Sequence, residues 1–131
     1  MPYRVNHIHL KSHDPGASAA WWVRAFNFSI VSDVVREAGD RFITCLSEDG
    51  MRIPISEPMP GQTYAPGDSG LREGLEHFGV DSDNLEADIA RLEGLGAKLL
   101  DGPRNNGPTM RIAFIEAPDH VRVELIQRLD S

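Results

Sequence analysis

Val5, Ile8 and Leu10 stand among polar neighbours over residues 4–12, a pattern that predicts a strand with His7 and His9 on one face. Asp14-Pro15 predicts a helix start, since Asp can cap free amides and Pro suits a first turn. Ala19, Trp22, Val23 and Phe26 follow at helical spacing and predict a buried stripe. Residues 28–36 are β-rich through Ile30, Val31, Val34 and Val35, and Ala38-Gly39-Asp40 turns the chain back. Residues 41–47 and 51–56 predict a hairpin around Glu48-Asp49-Gly50.

Periodicity is lost over residues 57–74, where Pro58, Pro60, Gly61, Pro66, Gly67 and Gly70 predict a long loop, either a linker or a flap. Tyr64 in this loop is expected to be solvated, with closure over a ligand as the alternative. The pattern then starts again. Residues 75–81 predict a strand, Asn84 caps a helix carrying Leu85, Ile89 and Leu92, and Gly96 closes it. Residues 98–100 predict a short strand and residues 101–108 a polar loop, with strands over 109–116 and 121–128. Two βαβββ modules result, an α+β fold with helices outside the sheets: module one 1–57, loop 58–74, module two 75–131.

The repeat can be placed on residues. Asp49-Gly50-Met51-Arg52-Ile53-Pro54-Ile55 aligns with Asp119-His120-Val121-Arg122-Val123-Glu124-Leu125 at an offset of 70. The same offset carries His7 onto His77. Two histidines and a carboxylate thus occupy related places, a donor set suited to a divalent metal, while Pro54 stands where a partner for Glu124 would be. His9, two residues beyond His7 on the same face, suits proton transfer beside a metal or a structural hydrogen bond. Arg52 and Arg122 should flank Pro54 and Glu124, steering an anion or forming rim salt bridges, and His13 and His120 should be solvated at turns. Core packing is expected of Trp21, Trp22 and Cys45.

Composition narrows the classes. With 131 residues the chain makes one domain with a proper core, and its net charge of −7 argues against a nucleic-acid partner. A single cysteine excludes an intrachain disulfide and fits a reducing compartment, so a cytoplasmic location is expected. No stretch has the ~20 apolar residues of a membrane span.

His7-Ile8-His9-Leu10 and Trp21-Trp22-Val23-Arg24-Ala25-Phe26-Asn27-Phe28, with the closing Glu116-Ala-Pro-Asp119 and Val123-Glu124-Leu125, resemble the vicinal oxygen chelate superfamily. That superfamily includes glyoxalase I, methylmalonyl-CoA epimerase, extradiol dioxygenases and fosfomycin- and bleomycin-resistance proteins. Ser12, where the pattern has an aliphatic residue, and two Trp in place of Phe-Tyr depart from it. The resemblance places the metal slots on His7, Pro54, His77 and Glu124. With Pro54 unable to ligate, it implies a three-ligand site for Fe, Mn, Ni or Zn with open positions for a bidentate small-molecule substrate. It also implies a homodimer.

The activity so implied is that of a lyase or isomerase like glyoxalase I, which stabilises an enediolate while Glu124 or His9 acts as base. A ring-cleaving dioxygenase is the alternative within enzymes, although Phe114 stands where the extradiol pattern has Tyr. A non-catalytic binding protein of the bleomycin-resistance kind is the alternative outside them.

Overall fold

The computed structural model describes residues 1–129, so the last two positions of the second module lie outside the described residues. The chain divides into two compact units, Met1–Ala65 and Pro66–Ser131. The boundary falls inside the long loop. The first unit runs β1 (Leu10–Lys11), α1 (Pro15–Phe26), β2 (Ser29–Val35), β3 (Arg41–Leu46) and β4 (Arg52–Ser56). The second runs β5 (Phe78–Asp81), α2 (Leu85–Gly94), β6 (Lys98–Asn105), β7 (Met110–Ala117) and β8 (Val121–Arg128), with a 3-10 turn at Pro118–His120. Sheet orders are β1-β4-β3-β2 and β5-β8-β7-β6, so each unit is βαβββ with one parallel pair between its first and last strands.

Both helices start with the same device at the same offset. The Asp14 and Asn84 side chains accept from the amides of Ala17 and Ala87, each at 3.1 Å. The amides of Asp14 and Asn84 donate in turn to the hydroxyls of Ser12 and Ser82. Ser12, a departure from the family pattern in sequence, is thus the outer half of a helix cap. The helices cover alternate strand positions. In the first unit Trp22, Ile43, Cys45, Ile53 and Ile55 are buried; in the second Leu85, Leu92, Ile115, Val123 and Leu125 are. Each of the large aliphatic side chains gains about 1.5–3 kcal/mol by leaving water. The residues between them in register, Thr44 with Pro54 and Phe114 with Glu124, lie on the opposite sheet face and are free to carry chemistry.

Two expectations are corrected. The strand over residues 4–12 shrinks to β1 plus an isolated bridge, His7 with Arg52. The register puts the gap at Ile8 and His9, opposite Ile53 and Pro54. Pro54 occupies a central strand and has no N–H to give, whereas β5 pairs without interruption from Phe78 to Asp81. Second, the polar loop over 101–108 gives way to β6, which reaches Asn105 by absorbing register shifts either side of Asp101. The side chains of β2, an edge strand, are exposed along its whole length.

At the β2–β3 turn Asp40 is fully covered, and Arg36 donates to its Oδ2 from Nε at 2.9 Å and from Nη2 at 2.6 Å. The Arg36 guanidinium also lies 4.4 Å from the centre of the Phe42 ring. The hydrogen bond from Arg36 holds the Asp40 carboxyl below the ordinary carboxylate range despite its desolvation. A lowered folded pKa stabilises the fold above the ordinary value of 3.8, and the contribution is lost as pH falls through the lowered value. Asp40→Asn should therefore lower the melting temperature at pH 7, with the gap to wild type narrowing below pH ~4. Thermal melts across that range check this, and a gap that persists undiminished in acid would assign the loss to packing instead.

Candidate metal centre

In the second unit the parallel register of β5 and β8 pairs Phe78 with Val123, which sets His77, just before β5, against β8. His77 Nε2 lies 3.1 Å from Glu124 Oε1 across 47 residues of sequence, with side chains 26% and 15% exposed. On the other side of the ring, Nδ1 lies 2.7 Å from Glu76 Oε2. Phe114 stands edge-on beneath His77 at 5.0 Å between ring centres. The Arg122 guanidinium covers Phe114 at 4.4 Å, and its Nη1 donates to the Ser69 carbonyl at 2.9 Å. Arg122 is therefore braced over an aromatic wall and tied to the loop, and does not sit at a solvated rim.

In the first unit His7 is exposed, and its Nδ1 is hydrogen-bonded to Asn6 Oδ1. Asn6 and Glu76 hold the same place in the two copies of the repeat. Both oxygens accept, so each Nδ1 carries a proton, while the other nitrogen of His77, Nε2, faces the Glu124 carboxylate. Pro54, in the slot equivalent to Glu124, is buried and offers no ligand. His9 makes a different contact: its Nε2 lies 2.8 Å from Ser56 Oγ, with Phe42 edge-on at 5.5 Å. Burial, then the charges of Lys11, His7 and Arg36, hold its pKa below the ordinary value of 6.5.

Of the three predicted ligands, His77 and Glu124 meet inside one unit and His7 belongs to the other. Among the described residues neither unit by itself gathers three His, Cys, Asp or Glu side chains able to hold a metal. The donor set of the second unit nonetheless fits a cation. It is one imidazole nitrogen and one carboxylate oxygen in contact, with a further carboxylate orienting the imidazole.

The model of the glyoxalase/bleomycin resistance protein/dioxygenase superfamily matches residues 4–125. The chain belongs to that superfamily. Lactoylglutathione lyase of Schizosaccharomyces pombe is 24% identical over 98% of this chain, which spans about half, 49%, of that protein. A glyoxalase family protein of Bacillus cereus superposes with a TM-score of 0.83 at 15% identity, over 99% of this chain and 97% of its own. The fosfomycin resistance protein FosX of Listeria monocytogenes, solved with Mn(II) and sulfate, superposes at 0.70 with 19% identity, over 97% and 93%. These likenesses establish the superfamily fold. They do not assign its chemistry.

Several residues around the superfamily scaffold escape a reading of the sequence. Asn6 and Glu76 were legible only as neighbours of the histidines, although the repeat aligns them. Ser69 Oγ donates to Glu116 Oε2 at 2.7 Å, and His120 Nδ1 contacts the same oxygen at 3.0 Å. These contacts, His120 first, hold the Glu116 carboxyl below its ordinary range. His120 is thus exposed but engaged. Tyr64 is not the solvated residue expected of a loop: it is half-buried and stacks on His13 at 5.3 Å. The long loop is therefore strapped to the first unit before the boundary and to the second after it.

Gly67 shows how tightly. A methyl group there would come within 2.6 Å of the Asp119 carbonyl oxygen, a backbone atom that cannot swing aside. Gly67→Ala should cost about 1–3 kcal/mol, as inserting an atom into a packed site does. Denaturant unfolding measures it; a midpoint equal to wild type would show that the strap moves away freely.

Proposed function

We propose that this chain is a divalent-metal-dependent enzyme that removes a proton next to an oxygen-bearing carbon of a small substrate, in lyase or isomerase chemistry. His7, His77 and Glu124 would hold the metal. The observation that carries the reading is the meeting of His77 Nε2 and Glu124 Oε1 at 3.1 Å, with Nδ1 of His77, like that of His7, engaged by the residue before it. A histidine kept only for packing has no need of an oxygen acceptor at Nδ1 in both copies of a repeat. A divalent metal bound there would supply Lewis-acid stabilisation of the negative charge that develops as the proton leaves.

The remaining work falls to the protein. Glu124 Oε1 is the base: it stands within β8 between buried Val123 and Leu125, with its side chain only 15% exposed, so few waters compete for it. Phe114 and the braced Arg122 wall the site on the β7 side, where an apolar floor excludes water and a guanidinium favours an anionic substrate. Phe114 also weighs against ring-cleaving oxygenation, since it has no hydroxyl to act on a catechol. Lactoylglutathione lyase and a Mn(II)-bound resistance protein among similar proteins support a metal and chemistry of this type.

Metal-depleted protein titrated with Mn(II) should take up about one equivalent per chain. His77→Ala should abolish binding, and Glu76→Gln should weaken it about 10–100-fold, the usual cost of losing a carboxylate that orients a ligand. Equal affinity in wild type and His77→Ala would sink the reading. A small-molecule binder without a metal would then take its place.

A further inference from the structure

The first unit contains a second hydrogen-bonded group on the same strand pair, and it differs in kind. Ser56 is fully buried, and its Oγ touches two atoms, His9 Nε2 at 2.8 Å and Lys11 Nζ at 2.9 Å. An ammonium has three protons to give and no lone pair to receive one. Lys11 therefore donates to Ser56 Oγ, and the hydroxyl proton must find another acceptor or be buried without one, at a cost of about 1–3 kcal/mol. His9 Nε2 is the acceptor at hand. That nitrogen then carries no proton, and the ring proton lies on Nδ1, which has no hydrogen-bond partner among the described residues.

His9 and Ser56 are 47 residues apart, as are His77 and Glu124. The two pairs use one strand relationship to opposite effect. At His7 and His77 an oxygen acceptor occupies the Nδ1 side. At His9 the Nε2 side is occupied and an N–H is presented. The ring is exposed, so that N–H is open to a ligand.

We propose that Lys11 and Ser56 are positioning residues that fix His9 as the Nδ1–H tautomer, making it a hydrogen-bond donor to an oxygen of the substrate. It is then neither a third nitrogen ligand nor the base. The substrate class that follows is one with a carbonyl, carboxylate or other oxygen acceptor beside its metal-binding oxygens; this last step rests on the metal-dependent function proposed above. The tautomer itself does not.

Two measurements separate the parts. Long-range 1H–15N correlations on metal-free protein with 15N-labelled histidine should show His9 protonated at Nδ1, and Ser56→Ala should shift it toward Nε2–H. An Nε2–H signal in wild type, or no change in Ser56→Ala, overturns the proposal whatever the metal does. On Mn(II)-loaded protein, acetohydroxamate serves as a bidentate oxygen probe. His9→Asn, whose amide N–H2 falls near the place of Nδ1, should keep affinity within about threefold. His9→Gln, whose amide reaches the place of Nε2, should lose about tenfold, the worth of one hydrogen bond. Equal losses in both overturn the donor role. Failure of wild type to bind Mn(II) overturns the metal reading, while the tautomer is still decided on metal-free protein.

Discussion

The parallel pairing of the first and last strands in each unit is the constraint on which the rest depends. A βαβββ chain has one parallel pair, and it brings together residues far apart in sequence without any loop to position them. Leu10 with Ile55 and Val80 with Leu125 are the same register at an offset of 70 residues. On the helix side that register closes a core of Ile53, Ile55, Val123 and Leu125. On the other face it places imidazole against carboxylate, or imidazole against hydroxyl. Because side chains alternate along a strand, a shift of one residue would bury the polar set and expose the apolar one. The core therefore fixes the geometry of the site at no additional cost in order.

The repeat shows what such a constraint permits. Glu124 and Pro54 occupy one position in the two copies, and their effects on the backbone differ as much as their chemistry. Glu124 belongs to an unbroken ladder, whereas pairing lapses opposite Pro54. The polar contact of the first unit then sits one pleat further along, at His9 and Ser56, where pairing resumes with Leu10 and Ile55. The same strand place thus carries a carboxylate in one copy and a proline in the other, with the polar contact of the first copy moved one pleat along.

Much of this was legible in the sequence because the fold is periodic and duplicated. The hairpin at Asp49-Gly50, both helix starts, β8 and the meeting of His77 with Glu124 follow from alternation, capping chemistry and the offset. What was not legible depends on partners chosen in three dimensions. Ile30, Val31, Val34 and Val35 of the edge strand β2 are exposed, and what covers a strand is not written in a hydropathy pattern. The extension of β6 through Gly102 and Pro103 requires bulges that composition reads as a loop. Tyr64 looked solvated because the stacking partner, His13, lies far from it in sequence.

The same distinction decides how the histidines should be read. From sequence His7, His9 and His77 are three copies of one side chain, each able to ligate or to move protons. Their neighbours separate them. An acceptor beside Nδ1 draws the ring proton there, and a hydroxyl that donates to Nε2 leaves the ring proton on Nδ1. Asn6, Glu76 and Ser56, none of which would be chosen as catalytic from a sequence, thus distinguish the surroundings of residues that would be. A site built in this way has its specificity in the hydrogen-bond partners of its functional groups. Relatives that keep the histidines but change the residues around them would be expected to differ in chemistry on one unchanged scaffold.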